Sequence, residues 1–182
     1  MKKLYVTDQE IRDYVNYISF KMYKDNWRPD YIVGLTRGGL IPAVYMSHML
    51  DIPMHTLKVA LRDNADTESN CWMAEDAFGY VSASEIPRPA GEPTTDPSLR
   101  KNILILDDIN DTGATLDWII QDWQGSNLPN DPAWADGIWN GNVRFAVLFD
   151  NLASKFSRKI DYSAVEINKA EEDVWIVYPW ER

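Results

Sequence analysis

The strongest constraint on the fold is a segment that joins an apolar run to two acids and then to a glycine-containing turn. Four consecutive branched aliphatic residues, 103–106, have the composition of a strand that is buried on both faces. Asp107 and Asp108 follow them, and a Thr-Gly-Ala-Thr turn at 112–115 leads into a helix to about residue 123. Because open α/β sheets bind ligands at the carboxyl ends of their strands, we expect the two acids to lie at a binding edge.

The turn after the acids has the chemistry of an anion cradle. Gly113 permits a close approach of the backbone, Thr112 and Thr115 offer hydroxyl donors, and the amides at a helix start favour a negative ligand. Acids beside such a cradle suit a ligand that carries a phosphate together with hydroxyl groups or a magnesium ion. An ordinary capped helix start, with Asp111 as the capping residue, is the alternative interpretation.

The remaining chain alternates helical and strand patterns. A helix is predicted over about 7–27, opened by a capping box between Thr7 and Glu10. Its apolar stripe is Ile11, Tyr14, Val15, Ile18, Met22 and Tyr23. A second helix is predicted to end near residue 50. Further buried strands are predicted at 31–35, 54–61 and 143–149. The order predicts an α/β fold with a mainly parallel central sheet flanked by helices.

Two stretches break this alternation. Residues 63–101 are polar and then rich in proline, with a possible short strand at 78–81, and they predict a long mobile lid. Residues 124–142 are punctuated by glycine, proline and tryptophan and predict a second insertion. We therefore expect one domain, 1–182, that carries two insertions.

The composition excludes several classes of function. The chain has 182 residues, 45% of them hydrophobic, and a net charge of −10 at pH 7, so no nucleic-acid or membrane partner is expected. Its one cysteine, Cys71, excludes an internal disulfide and a multi-cysteine zinc site. The sequence shows neither a membrane-length apolar run nor a signal-peptide pattern, and we expect a soluble, cytoplasmic protein.

Residues 103–115 resemble the phosphoribosyl-pyrophosphate (PRPP) signature of type I phosphoribosyltransferases: four hydrophobics, Asp-Asp, three residues and Thr-Gly-x-Thr. Residues 35–42, LTRGGLIP, resemble the pyrophosphate loop of the bacterial xanthine-guanine enzymes. Residues 174–181, VWIVYPWE, are similar to the ending of those enzymes. The resemblance implies the type I phosphoribosyltransferase fold, with a small C-terminal hood at about 150–182.

For the ribose and its phosphate, the resemblance implies three roles. Asp107 and Asp108 would hold the ribose hydroxyls, directly or through Mg²⁺, for which they are the implied ligands. Asp111 would contact purine N7 and act as general base. The 5-phosphate would be cradled by Asp111, Thr112, Gly113, Ala114 and Thr115.

For the pyrophosphate, the resemblance implies the loop Thr36, Arg37, Gly38 and Gly39, with a non-proline cis peptide at Thr36–Arg37. The Arg37 guanidinium and the glycine amides would bind the anion. Lys58 and Arg62, at the mouth of the predicted lid, are further candidates by position.

For the base, the resemblance implies that Trp175 stacks on the purine and that Ile176 adjoins it. In 6-oxopurine enzymes a lysine that follows the fourth strand donates to the purine 6-oxygen. Asn151 stands at that position here, and Lys155 could supply the cation instead. The base preference therefore stays open at this point.

The activity implied is transfer of ribose 5-phosphate from PRPP to a purine base, with Mg²⁺ as cofactor and a homo-oligomer as the assembly. Two alternatives stay open. One is a phosphoribosyltransferase for another acceptor, such as adenine, a pyrimidine or a different amine. The other is a non-catalytic regulator that senses PRPP or a nucleotide.

Overall fold

The computed structural model describes residues 1–59, 71–81 and 94–181, and the predictions for residues 60–70 and 82–93 lie outside these ranges. The described strands, in chain order, are β1 (Lys2–Tyr5), β2 (Tyr31–Thr36), β3 (Met54–Lys58), β4 (Tyr80–Val81), β5 (Thr94–Thr95), β6 (Ile103–Asn110), β7 (Val143–Asn151), β8 (Tyr162–Ile167) and β9 (Val174–Val177). The described α-helices are α1 (Asp8–Lys24), α2 (Leu40–Leu50), α3 (Cys71–Phe78) and α4 (Ala114–Ser126).

A five-stranded parallel sheet with the order β3-β2-β6-β7-β8 forms the centre of the molecule. The central strand is β6, where Ile105 lies in register with Val33 on one side and Phe145 on the other. Successive β6 residues are buried against opposite cores, which explains why its sequence is continuously apolar. The predicted parallel sheet flanked by helices is confirmed.

Helices α1 and α2 cover one face of the sheet. The predicted capping box is present, because the Glu10 amide donates to Thr7 Oγ1 at 3.2 Å and the Thr7 amide donates to Glu10 Oε2 at 2.8 Å. Tyr23 was wrongly placed in the apolar stripe: it is 81% exposed, because it lies about a hundred degrees around the helix from the buried row. The buried row is Ile11, Val15, Ile18 and Met22.

The tryptophan-rich segment 124–142 belongs to the core of the other face, which the sequence did not indicate. Trp134 and Trp139 are buried and stack with their ring centroids 5.3 Å apart, and Trp139 stacks on Phe145 of the sheet at 5.8 Å. The indole Nε1 of Trp134 donates to the Asn127 carbonyl at 2.9 Å. Large aromatic rings here fill the volume that a regular helix would otherwise cover.

Residues 71–78 form a packed helix, so the mobile-lid prediction is wrong for this part of 63–101. Helix α3 buries Met73, Ala74, Ala77 and Phe78 against the same core. The short strand predicted at 78–81 begins at Tyr80, which pairs antiparallel with Thr95. The buried spacing of α3 covers only two turns, which is too short to stand out among polar neighbours.

The C-terminal part of the chain differs from the predicted hood in two ways. Strand β8 is not part of a hood but the edge of the central sheet, beside β7. Strand β9 pairs in parallel with β1, where Leu4 lies opposite Ile176. The N-terminal strand was missed because its partner lies at the other end of the sequence. Within the described ranges, no helix combines the length and apolar character that a bilayer crossing requires.

The buried tryptophans give a direct test of this packing. We expect Trp134→Ala to lower the free energy of unfolding by about 3–5 kcal/mol, because it removes a buried indole and leaves a cavity. Trp175→Ala is the matched control: Trp175 is 42% exposed, and its loss is expected to cost about 1 kcal/mol or less. Urea unfolding of the two variants would measure both values, and equal losses would contradict the assigned core.

Candidate active site

The two acids lie in the final half of β6, and this strand is longer than predicted. It continues through Asp107 and Asp108 to Asn110, because β7 keeps pairing with it as far as the Asn110–Asp150 pair. The Asn110 side-chain Nδ2 also donates to Asp150 Oδ1 at 2.8 Å, which joins the two strand ends. The acids are therefore carried by a rigid, hydrogen-bonded strand end instead of a loop.

Burial dominates the electrostatics of this acid pair. It raises the pKa of Asp107 well above the ordinary value, and the charge of Asp108 raises it further. Burial also raises the pKa of Asp108, to about 6. The Asp108 backbone amide donates to Asp107 Oδ1 at 2.9 Å, so the two acids are hydrogen-bonded to each other.

Tyr178 connects the acid pair to the C-terminal strand and was not predicted. Its hydroxyl donates to the Asp108 carbonyl at 3.1 Å. Burial raises the pKa of Tyr178, and the negative charges of Asp108, Asp107, Glu181 and Asp111 raise it further, in that order. The hydroxyl is thereby held as a neutral donor. The sequence signal was weak, because an aromatic residue after an apolar strand is usually part of a core.

The loop at 36–39 packs directly on the acid pair. The Thr36–Arg37 peptide is cis, which confirms the expectation from the resemblance. A Cβ on Gly38 would lie 2.3 Å from Asp108 Cγ, so only glycine allows this approach. Lys58 stands beside the loop, because it pairs with Thr36 in the sheet register.

One member of the loop differs from its expected role. The Gly39 amide donates to the Leu35 carbonyl at 2.9 Å, so this N–H is engaged inside the loop and does not face an anion. A Cβ on Gly39 would lie 2.3 Å from the Leu106 carbonyl oxygen, so the residue packs the loop against β6. Arg37 is exposed, and Arg62 lies outside the described residues.

The turn after β6 has the expected glycine geometry. Gly113 has φ 88° and is the N-cap of α4, which has no side-chain cap. Asp111 lies two residues earlier, so the interpretation of Asp111 as an ordinary helix cap is wrong. Gly113 has no side chain to cap α4, and the Ala114 amide makes only a long bond to Thr112 Oγ1, at 3.4 Å. Weakly capped amides at a helix start suit an anion.

The segment after β7 is fastened over this turn. The Lys155 amide donates to the Thr112 carbonyl at 3.1 Å, and the Ser157 amide donates to Asp117 Oδ1 at 3.1 Å. A Cβ on Gly113 would lie 2.4 Å from the Phe156 nitrogen, so the two segments touch. These contacts place the Lys155 backbone beside the turn at 112–115, and a role of its side chain toward the base stays a prediction.

Asn151 is not a free donor for a base. It is 6% exposed, and its Nδ2 donates to the Asp111 carbonyl at 2.8 Å. Its Oδ1 accepts from the Ala153 amide at 3.1 Å and from the Lys169 amide at 3.0 Å. Because main-chain groups engage both ends of this amide, we do not retain Asn151 among the base-binding residues.

Lys169 is the functional candidate that sequence reasoning missed. Its Nζ lies 2.9 Å from Asp111 Oδ1, and the two side chains are 20% and 29% exposed. Lys169 lies between β8 and β9, outside every motif of the resemblance, so only the folded chain brings it to Asp111. A charge-assisted bond in a half-buried site is stronger than a surface ion pair.

The two residues expected near the base lie on opposite faces of β9. Trp175 is 42% exposed and Ile176 is 5% exposed. The Ile176 side chain packs in the core with the α1 side of the sheet, so it does not face a ligand. The ring of Trp175 is the exposed one of the two. Three residues later in the chain, the Tyr178 hydroxyl donates to the Asp108 carbonyl of β6.

The family model of the phosphoribosyl transferase domain matches residues 5–180. The chain belongs to the phosphoribosyltransferase family. A xanthine-guanine phosphoribosyltransferase of Cereibacter sphaeroides (strain ATCC 17025 / ATH 2.4.3) is 27% identical over 155 residues, which cover 85% of this chain and 70% of that protein.

Solved structures agree with this family. A purine phosphoribosyltransferase from Pyrococcus horikoshii Ot3 is 26% identical with a TM-score of 0.60, over 100% of this chain and 95% of that one. The xanthine-guanine-hypoxanthine phosphoribosyltransferase of Helicobacter pylori shares the fold, with a TM-score of 0.63 and 17% identity over 98% and 93% of the two chains. This phosphoribosyltransferase therefore has its acid pair, glycine loop and anion cradle on a known scaffold.

The raised pKa of Asp108 predicts a stability effect with a defined sign. Between its ordinary pKa of 3.8 and the folded value of about 6, the folded state binds more protons, so stability falls as the pH rises through this window. Asp108→Asn removes the buried charge, and we expect it to raise the free energy of unfolding at pH 8 by about 1–3 kcal/mol.

Urea unfolding in EDTA, at pH 8 and pH 4, would measure this effect. The gain should vanish at pH 4, where Asp108 is neutral in the folded state. The control is Asp136→Asn, at an exposed carboxylate in the turn Trp134–Ile138, which should change stability little at either pH. A gain of the same size at both pH values would contradict the pKa assignment.

Proposed function

We propose that this phosphoribosyltransferase transfers ribose 5-phosphate from PRPP to a 6-oxopurine base and releases pyrophosphate. The observation that carries the proposal is the Lys169–Asp111 pair at 2.9 Å, located at the end of the strand that bears the acid pair. It puts a cation and a carboxylate side by side where the acceptor would lie. The named activities of the Cereibacter and Pyrococcus proteins also support a purine acceptor.

The chemistry demands that the site hold a charged donor and an acceptor in line. As the bond from ribose C1 to pyrophosphate breaks, positive charge develops on the sugar and negative charge on the leaving group. Asp107 and Asp108 would bind the ribose hydroxyls, and the amides at 112–115 would bind the 5-phosphate. Because both groups lie on β6 or its turn, one rigid element would orient the whole donor.

The pyrophosphate would lie over the loop 36–39. Arg37 offers a forked cation, and Lys58 lies in register with the loop. The Gly38 backbone lies in contact with Asp108. A pyrophosphate on this loop would therefore lie next to a ribose held by Asp108. Closing the site against water would then limit hydrolysis of PRPP.

Asp107 and Asp108 fit a magnesium ion. Both residues are half-buried and their carboxyl groups carry raised pKa values, so a dication would relieve an electrostatic cost that desolvation creates. Magnesium binds through one or two carboxylates together with substrate phosphates, which matches a pair of acids beside a pyrophosphate loop. When bound, the ion would act as a Lewis acid toward the leaving group.

The acceptor base would be read by three side chains. Trp175 would stack on the ring, Asp111 would contact N7 and manage its proton, and Lys169 would donate to the exocyclic oxygen next to N7. An ammonium group has three donors, so Lys169 can serve the base and Asp111 together. A 6-oxopurine offers an acceptor at that position, whereas adenine offers an amino donor, and this difference favours oxopurines.

A base panel would test the assignment. The protein would be incubated with PRPP, Mg²⁺ and each of xanthine, guanine, hypoxanthine, adenine, orotate and uracil, and pyrophosphate release would be followed. We expect turnover with at least one 6-oxopurine. Turnover only with adenine or a pyrimidine would sink the oxopurine assignment, and nucleotide binding without any turnover would favour the regulator.

The role of Asp111 gives a second prediction. Asp111→Asn keeps the shape and removes the base, so we expect kcat to fall about 100-fold or more while the KM for PRPP changes little. Steady-state kinetics with the best oxopurine would measure both constants. An unchanged kcat would remove Asp111 from the general-base role.

Lys169 gives a prediction on selectivity. Lys169→Met is expected to lower kcat/KM for oxopurines by about 10- to 100-fold and to leave adenine rates unchanged or higher, because the loss removes one charge-assisted bond. The control is Lys101→Met, since Lys101 pairs with Asp76 at 3.0 Å just before the other end of β6. Equal effects of the two variants on oxopurine kinetics would refute the contact.

A further inference from the structure

We infer that Asn151 is a positioning residue whose amide sets Asp111 and Lys169 against each other for the reaction. This inference rests on the proposed function, in which those two residues contact the acceptor. Asn151 itself touches neither the donor nor the base in this assignment. It would act on the rate only through the two residues that it holds.

A closed ring of bonds carries the inference. Asn151 Nδ2 donates to the Asp111 carbonyl at 2.8 Å, and Asn151 Oδ1 accepts from the Lys169 amide at 3.0 Å. The ring closes where Lys169 Nζ meets Asp111 Oδ1 at 2.9 Å. One side chain therefore links the backbones of both residues whose side chains form the ion pair.

The amide itself is anchored in the central sheet. Asn151 is the last residue of β7 and pairs with Ile167 of β8. The Leu152 amide donates to the Ile167 carbonyl at 2.8 Å, and the Ala153 amide donates back to Asn151 Oδ1 at 3.1 Å. With 6% exposure and these bonds on both sides, the Asn151 side chain has a fixed orientation.

The amide of asparagine has the two functions that this ring requires, and neither lysine nor ionised aspartate has both. Asparagine carries a donor and an acceptor on one short side chain, whereas lysine only donates and an ionised aspartate only accepts. A lysine at position 151 could bond the Asp111 carbonyl but not the Lys169 amide. The residue that replaces the expected lysine therefore has a different task, which is to hold a lysine that comes from another segment.

The main consequence concerns freedom of movement. Lys169 lies in the connection between β8 and β9, and a lysine has four rotatable carbons between its backbone and its charge. Fixing the Lys169 backbone to the end of β7 shortens the range over which Nζ can move. The same amide holds the Asp111 backbone, so the carboxylate and the ammonium keep one relative position.

The test combines two variants with steady-state kinetics on the best 6-oxopurine. Asn151→Ala removes both links, and Asn151→Asp keeps the acceptor for Lys169 but loses the donor to Asp111. We expect kcat/KM for the base to fall about 10- to 100-fold, because small misplacements of reacting groups cost this much. The KM for PRPP should stay within about 2-fold, since the donor contacts of β6 remain.

A double-mutant cycle separates positioning from a general loss of structure. If Asn151 acts through Lys169, Lys169→Met should cost much less in the Asn151→Ala background than in the wild type. The matched control is Asn142→Ala, at the residue before β7, whose Nδ2 donates to the Ala77 and Lys101 carbonyls, both at 2.9 Å. That variant should leave kcat unchanged. Lys169→Met should then lower kcat/KM by the same factor in the Asn142→Ala background as in the wild type.

The outcomes are distinct. If Lys169→Met lowers kcat/KM by the same factor in the wild type and in Asn151→Ala, the two residues act independently and the inference is overturned. A wild-type kcat/KM in folded Asn151→Ala would overturn it as well. Neither result contradicts the proposed function. If Asn151→Ala fails to fold, the same cycle is run with Asn151→Asp, whose circular dichroism and melting temperature must first match the wild type. Absence of transfer by the wild type with every base would overturn the proposed function and this inference together.

Discussion

The partial desolvation of two neighbouring, half-buried carboxylates at the end of a strand is the constraint around which the site is organised. Strand β6 runs between β2 and β7 with apolar cores on both faces, so Asp107 and Asp108 enter a region of low polarity. Two other segments approach this pair closely. The Gly38 backbone lies against Asp108, and Tyr178 donates to the Asp108 carbonyl. A loop and a distant strand are thereby fixed relative to one acid pair.

The net charge of −10 makes local cations important for a family whose donor substrate is itself an anion. The described chain gathers them from separate segments: Arg37 from the loop after β2, Lys58 from β3, and Lys169 from the connection before β9. Backbone amides at the start of α4 add partial charges without adding titratable groups. The local positive charge of this chain therefore depends on the tertiary fold more than on composition.

The sequence predicted well where local rules determine the structure. The apolar run of β6, the turn at Gly113 and the capping box of α1 each depend on neighbouring residues, and each is present. Prediction from the sequence failed where segments that are far apart in the chain come into contact. The packing of Trp134 on Phe78, the β1–β9 pair and the approach of Lys169 to Asp111 are contacts between residues far apart in the chain. Composition and spacing carry no signal for such contacts.

Strand β9 carries Trp175, the proposed stacking partner of the base, and we expect its pairing with β1 to form late in folding. Lys2 bonds to Glu172, 170 residues away, and β9 pairs with β1 in a two-stranded sheet separate from the central one. Bringing such distant segments together costs loop-closure entropy, and this cost arises before the contacts that offset it have formed. The proposed donor site, built on β6 and its turn, belongs to the central sheet, where β6 pairs with β2 and β7, which lie nearer in the chain than β1 lies to β9. The strand that carries Trp175 is therefore expected to close last and to open first, so that donor and acceptor regions differ in local stability.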